Sequence, residues 1–239
     1  MSRRSVPSVA ADFASVVEFL RGRGIIPTTA APSLFANAKR IHRATYSLIL
    51  WRFRLRRLPK HGTIFVEEIA SDALQVLPQA LMGYSKAARM LTRGIVENTL
   101  RHIYFSDHPI EFERMNRERK WYIGNDALLE YAKLHPIFRE TERHFDAIAR
   151  LSSLYEDLSA SVHGRTVRDL EMRVALRKIA YSDDSCEKDV ALVERCAAAA
   201  NFCLAMFHRE RMGTFTAEDR RVILQTMPSG ARSIWTESQ

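Results

Sequence analysis

The feature that most constrains this chain is a long stretch of helical periodicity, residues 63–105, which a single proline, Pro78, interrupts. Apolar side chains recur there every three or four residues, the spacing of one face of an α-helix. Because proline breaks helical hydrogen bonding, we expect Pro78 to kink this stretch or to divide it into two helices. The chain of 239 residues has 9 glycines and 8 prolines, which is few for the frequent turns of a β-sandwich or barrel.

The same periodicity predicts helices on both sides of this stretch. An opening helix is expected to end near Gly22 and Gly24, and Ser33 is the expected N-cap of a second helix that continues to Pro59. Residues 111–121 are dense in charge and form either a short helix or an exposed arm. The remaining predicted helices are one capped by Asp126, one over residues 137–163, one that starts in residues 182–189, and one capped by Thr216.

Neither a convincing strand alternation nor an internal repeat is visible in the sequence. We therefore predict an all-α fold. Its parts are an N-terminal helical pair over residues 1–62 and a helical bundle domain over residues 63–239.

The composition is that of an ordinary soluble protein, with 46% hydrophobic and 27% charged residues. The most apolar short stretch, residues 46–51, is far below the length of a membrane span, and the amino-terminal residues lack the uninterrupted apolar region of a signal peptide. The three cysteines have no paired spacing and are expected to be reduced and buried. These features favour a cytoplasmic location without membrane contact.

The formal net charge of +8 is carried mostly by arginine, which favours a polyanionic partner such as RNA. The densest basic segment follows the aromatic residues Trp51 and Phe53 and consists of Arg52, Arg54, Arg56, Arg57 and Lys60. Two interpretations stay open. The charges can complement the dipole at the end of a helix, or they can form a nucleic-acid contact assisted by the aromatic rings.

Two predicted helices each carry a polar stripe with a spacing of four residues. One stripe consists of Tyr155, Ser159 and His163, and the other of Arg93, Glu97 and Arg101. Residues four apart lie on one helical face, so each set forms a ridge. If the two ridges meet, we expect Glu97 to pair with His163 or Tyr155, leaving the arginines for an incoming anion.

These two stripes carry a resemblance to a known family. The segment "RGIVENTLRHIYF", followed some distance on by "LYEDLSASVHG", resembles the Arg-x3-Glu and Tyr-x2-Leu-Ser-x3-His-Gly helices of poorly characterised bacterial branches of the HEPN-like superfamily. The resemblance covers roughly residues 70–210. It implies a small helical bundle, often a dimer, that acts as a metal-independent ribonuclease in toxin–antitoxin or phage-defence systems.

The best-known catalytic pattern of that superfamily is Arg-x4-6-His. The stripe at His163 departs from it, whereas Arg139 and His144 match its bare spacing. Five residues turn an ideal helix through about 140°, so these two side chains diverge unless the helix is distorted or a second subunit completes the site. We keep them as an alternative catalytic pair.

Metal-independent RNA cleavage needs a base with a near-neutral pKa to deprotonate the ribose 2′-hydroxyl, and a cation to stabilise the phosphate charge. We assign His163 as the acid/base, with its protonated form favoured by the helix dipole and Glu97. Arg93 and Arg101 then bind phosphate, Glu97 orients them, and Tyr155 and Ser159 orient the histidine or bind the RNA backbone. The same six residues can instead be a structural network between two helices.

Motifs for nucleotide hydrolysis, serine hydrolysis, zinc binding and metalloproteolysis are missing from the sequence, so neither a cofactor nor a metal is expected. The expected function is that of an RNA-cleaving toxin or defence effector with an antitoxin or other partner protein. The alternative is a non-catalytic helical module that binds nucleic acid, a nucleotide or a protein.

Overall fold

The structure is a computed structural model that describes residues 6–163, 175 and 178–236. Its described part is all α-helical, as predicted, with twelve α-helices and a 3₁₀ turn at Lys60–Gly62. The helices are α1 (Val9–Gly22), α2 (Pro32–Leu55), α3 (Ile64–Leu81), α4 (Ser85–Asp107), α5 (Pro109–Arg117), α6 (Asn125–Leu134), α7 (Pro136–Phe145), α8 (Ala147–His163), α9 (Asp183–Phe207), α10 (Arg209–Met212), α11 (Ala217–Thr226) and α12 (Ser229–Thr236).

Four long helices form the centre of the bundle. Helix α3 packs between α2 and α4, and α9 packs against α2, α4 and α8. Fully buried large side chains come from several of them, including Trp51, Phe105 and Phe202. Because the buried residues of α2 belong to the same hydrophobic core as those of α3, α4 and α9, the boundary predicted at residue 62 does not divide the core.

The break between α3 and α4 falls later than Pro78 suggested. Helix α3 continues through Pro78 to Leu81, and the chain turns at Gly83, whose φ is +80°. A side chain at residue 83 would also collide with the backbone of Ala180. Glycine is therefore required at this turn for both its conformation and its size.

The predicted helix over residues 137–163 is two helices. Asp146 has a φ of 49°, a left-handed conformation that aspartate tolerates better than most residues, and it separates α7 from α8. Helix α8 ends in the described chain at His163, and Gly164, the predicted stop, lies outside the described residues.

Helix caps were predicted with mixed success. Thr216 accepts a hydrogen bond from the Asp219 backbone at 3.2 Å, as expected for the N-cap of α11. The prediction for Ser33 was wrong, because Pro32 already occupies the first turn of α2 and the Ser33 hydroxyl instead donates to Asp183 at 3.1 Å. Asp126 lies in the first turn of α6, one residue beyond the start of the helix, and does not cap it.

One described helix, α9, is long and apolar enough to cross a membrane, with a mean hydropathy of 1.5 over its most apolar window. In the bundle, 67% of that window is buried. This is the pattern of a core helix in a soluble protein.

A candidate active site between α4 and α8

The two polar stripes meet, and the Arg93 guanidinium is their centre. One terminal nitrogen of Arg93 lies 2.7 Å from His163 Nε2, and the other donates to the Tyr155 hydroxyl at 2.9 Å. The second nitrogen also pairs with Glu97 Oε1 at 2.9 Å, one turn away on α4. In addition, the guanidinium carbon lies over the Tyr155 ring, 4.9 Å from its centroid. We call Arg93, Glu97, Tyr155 and His163 the Arg93 cluster.

The Arg93 contact fixes the hydrogen-bonding state of His163. Because arginine can only donate, His163 Nε2 must accept, so the imidazole of this arrangement is neutral and carries its proton on Nδ1. His163 is exposed, and the side chains of Arg93 and Glu97 are 22% and 23% exposed. The cluster therefore presents a neutral imidazole beside a guanidinium at a surface that solvent reaches.

The pairing within the cluster differs from the sequence expectation. Glu97 pairs with Arg93, and no described hydrogen bond or ion pair joins it to His163 or Tyr155, so the expected pairing of Glu97 with one of these residues is wrong. The spacing of four residues on one helix makes the Arg93–Glu97 pair the nearest available ion pair. Arg93 is thus already engaged by three protein groups before any anion arrives.

Arg101 extends the same stripe and has no side-chain partner among the described residues. It lies two turns after Arg93 on α4, about 12 Å further along the helix axis. Its side chain is half-buried and has no hydrogen bond or ion pair within the described part of the chain. Among the described contacts, Arg101 is therefore the member of the predicted site whose guanidinium is available to an anion.

Ser159 is placed on the predicted face but has neither predicted role. The residue is only 2% exposed, and its hydroxyl has no hydrogen-bond partner among the described atoms. The Nε of Arg93 is likewise buried without a partner. Ser159 therefore does not orient His163 through a hydrogen bond among the described residues.

A carboxyl group that sequence reasoning missed lies beside this cluster. Asp72 of α3 is 9% exposed and no hydrogen bond joins it to another described residue. Burial, together with the negative charges of Glu68 and Glu97, raises the pKa of Asp72 to about 7. Asp72 reaches α4 because residue 94 is glycine, where a side chain would collide with the Asp72 carboxylate. The sequence signal that could have identified Asp72 is its acidic side chain on the buried face of an apolar helix.

The alternative pair is not brought together. Arg139 and His144 are both exposed on α7, and no hydrogen bond or ring contact joins the two within the described chain. The ring contact of His144 is with its neighbour Phe145. Within one chain, this pair does not form a site.

The basic segment after Trp51 divides into one structural and four exposed residues. Arg54 forms an ion pair with Asp219 of α11, whose side chain is 6% exposed. Arg52, Arg56, Arg57 and Lys60 are exposed. Trp51 is fully buried and donates from Nε1 to Asn201 Oδ1 at 2.8 Å, so its predicted part in base stacking is wrong. Phe53 is 44% exposed and stays available.

A buried histidine pair was also missed. His102 and His208 approach to 2.7 Å between their Nε2 atoms, in the contact between α4 and the end of α9. Burial lowers the pKa of His208 to about 4 and that of His102 well below its usual value. Sequence spacing gave no sign of this pair, because its members are far apart in the chain.

The other candidates for reactive chemistry are inert in this fold. Cys186, Cys196 and Cys203 are buried in the core and form no disulfide. Burial raises the pKa of Cys186 to about 11 and, more strongly, that of Cys196. In the described residues, no group of three or more histidine, cysteine, aspartate or glutamate side chains is arranged to hold a metal ion.

The chain was compared with protein-family models, with curated proteins and with solved structures, and none of them matches it. The interpretation of the Arg93 cluster therefore depends on its own chemistry.

Proposed function

We propose that this protein is a metal-independent endoribonuclease whose active site is the Arg93 cluster. The observation that carries the proposal is the 2.7 Å contact between Arg93 and His163 Nε2 at a solvent-reachable junction of two helices. A neutral imidazole is the form of histidine that can accept a proton, and a guanidinium is the side chain best suited to phosphate. The resemblance of both helices to HEPN-like ribonucleases supports the same function.

The proposed reaction begins when an RNA phosphate displaces His163 and Glu97 from the Arg93 guanidinium. His163 Nε2 then accepts the proton of the ribose 2′-hydroxyl, and the 2′-oxygen attacks the adjacent phosphorus. The 5′-oxygen leaves and takes a proton from the newly formed imidazolium or from water, which yields a 2′,3′-cyclic phosphate. Arg93 stabilises the charge on the phosphate during attack, and Arg101 binds the backbone further along α4.

RNA cleavage by the purified chain in excess chelator tests this assignment. We expect His163→Ala to lower the rate at least 100-fold, as for loss of a general base, with an unchanged circular dichroism spectrum. Arg93→Ala should have a similar effect, and the products should carry cyclic phosphate ends. His61→Ala is the control, because His61 is a half-buried histidine that belongs neither to the Arg93 cluster nor to the alternative pair. If His163→Ala cleaves at the native rate, the assignment fails and Arg139 with His144 becomes the pair to test across a dimer.

The cellular role follows from the same proposal. We infer an RNA-cleaving effector of a toxin–antitoxin or phage-defence system, acting in the cytoplasm as a homodimer with a neutralising or activating partner protein. Expression of the native chain should then arrest growth, and His163→Ala should relieve the arrest at equal protein level. Equal growth arrest by both forms would contradict the effector role.

A second candidate function has its own supporting observation. Arg52, Arg56, Arg57 and Lys60 are exposed at one end of α2, which suits a non-catalytic module that contacts nucleic acid through phosphates. For this function, the double variant Arg56→Ala with Arg57→Ala should lower the salt dependence of RNA affinity by roughly 1 to 2 in log–log slope. An unchanged slope would exclude this surface. Arg54 is unsuitable for the test because it holds Asp219.

A further inference from the structure

A second basic site lies near the carboxyl-terminal end of the chain, far in sequence from the basic segment that follows Trp51. Helices α10, α11 and α12 enclose a cleft of about 720 Å³. Its lining includes four arginines but only one acidic residue, Glu210. The arginines are Arg209, Arg220, Arg221 and Arg232. We propose that this cleft binds a nucleoside phosphate, with the phosphate on the arginines and the base against Trp235.

Trp235 gives the cleft an aromatic wall with an unused donor. It lines the cleft and packs partly against the hydrophobic core. Its Nε1–H is buried and has no acceptor within the described residues. An indole N–H can only donate, and buried donors are almost always paired in folded proteins. A ligand that brings an acceptor, such as a base carbonyl or a phosphate oxygen, satisfies this group.

The arginines of the cleft differ in how firmly they are held. Arg232 donates to the Met227 and Gln225 carbonyls at 3.0 to 3.1 Å, which fixes its side chain. Arg221 pairs with the exposed Glu218 at 3.0 Å. The side chain of Arg220, by contrast, has no hydrogen bond or ion pair with another described residue. Arg220 is therefore a cation free to take a phosphate.

Arg209 connects the basic and the aromatic parts of the cleft. Its guanidinium carbon lies 6.0 Å from the centroid of the Trp235 ring. Planar guanidinium groups and indole rings both stack on nucleobases, while arginine also binds phosphate through paired hydrogen bonds. A cleft of this volume is in the range that encloses a small ligand. The combination of a free arginine and an aromatic wall favours a nucleotide over an acidic peptide, which needs no stacking surface.

The cleft shares no residue with the Arg93 cluster. The proposed ligand of the cleft is a nucleotide, which can be either a free nucleotide or one nucleotide of an RNA strand. Titration with ATP and with a 2′-O-methyl hexa-adenylate distinguishes these two ligands. The oligonucleotide resists cleavage because its 2′-oxygens are methylated and cannot attack the phosphate. Inorganic phosphate and an octaglutamate peptide test the other anions.

Isothermal titration calorimetry of the full chain at low salt measures all four probes. The oligonucleotide is titrated into the Arg93→Ala variant, so that its phosphates do not bind at the Arg93 cluster. We expect ATP or the oligonucleotide to bind in the cleft, and we expect Arg220→Ala and Trp235→Leu each to weaken this binding at least tenfold. Arg119→Ala, an exposed arginine outside the cleft, should change the affinity less than twofold. Binding of ATP assigns a free nucleotide, and binding of the oligonucleotide alone assigns an RNA unit.

Three results would overturn the proposal. They are absence of binding by both ATP and the oligonucleotide, binding that Arg220→Ala leaves unchanged, and equal affinity for inorganic phosphate or octaglutamate. The surface variant Arg220→Ala keeps the test decisive if Trp235→Leu fails to fold. Loss of RNA cleavage in His163→Ala with retained ATP binding would show that the two sites are separate.

Discussion

Replacement of Asp72 by asparagine tests the electrostatics beside the Arg93 cluster. Asp72 is a buried carboxyl that receives no hydrogen bond from a described residue and faces two other acids, Glu68 and Glu97. These conditions destabilise its charged form. We therefore expect Asp72→Asn to stabilise the protein at alkaline pH, contrary to the usual result of changing a buried residue.

The magnitude follows from the two ionisation states. An unfolded aspartate has a pKa of 3.8, and burial beside Glu68 and Glu97 raises the pKa of Asp72 to about 7. The difference corresponds to about 4 kcal/mol as an upper figure, at about 1.4 kcal/mol for each tenfold change. Since the folded state holds the proton more tightly, the free energy of unfolding falls as pH rises from about 4 to 7. Asparagine, which has no charge to bury, should remove this fall.

Urea denaturation of the native chain and of Asp72→Asn at pH 5 and pH 8 measures the effect. We expect a gain of about 2 to 4 kcal/mol at pH 8, or a rise in Tm of about 4 °C or more, and a much smaller gain at pH 5. Glu68→Gln is the graded control, because it removes one repelling charge and should give a smaller gain. An equal gain at both pH values, or a loss at pH 8, would refute the reasoning.

Three other substitutions test contacts described above. Alanine normally stabilises a helix by about 1 kcal/mol relative to glycine. Gly94→Ala should nevertheless lower the Tm, because the added Cβ would collide with the Asp72 carboxylate. A gain in Tm would contradict this close contact. Arg54→Ala should lower the free energy of unfolding in urea by about 2 kcal/mol or more, because it leaves the buried Asp219 carboxylate unpaired. The control variant Arg56→Ala, at an exposed arginine, should lower it by less than about 0.5 kcal/mol. Equal losses in the two variants would exclude a stabilising Arg54–Asp219 ion pair. Burial lowers the pKa of His208 to about 4, so the free energy of unfolding that neutral His208 contributes above pH 6.5 is lost as the pH falls to 4. The variant His208→Gln should remove up to about 3 kcal/mol of this pH-dependent loss of stability. An unchanged pH profile of stability would contradict this role of His208.

The helices were predictable where local sequence decides them. The apolar period and Thr216 gave the all-α fold and the start of α11 correctly. The breaks were harder to predict, since they depend on long-range contacts. Pro78 is accommodated inside α3, whereas the turn at Gly83 is fixed partly by the backbone of Ala180, which lies far along the chain.

For the Arg93 cluster, the sequence predicted which helical faces carry the polar residues but not which residues pair with each other. The spacing of four residues correctly placed Arg93 and His163 on stripes that meet. It did not predict that Glu97 would pair along its own helix, because the choice depends on side-chain reach across the α4–α8 contact. The raised pKa of Asp72 depends on its burial and on the charge of Glu97 in the neighbouring helix, which a pattern within α3 does not encode.

The position of α9 has a consequence for synthesis on the ribosome. This helix covers apolar faces of α2, α4 and α8, yet it is translated after all three. Until residues 183–207 leave the exit tunnel, those earlier helices have no α9 to pack against, and their uncovered faces are places for a nascent-chain chaperone to bind. Closure of the bundle is therefore a late event in the life of the growing polypeptide.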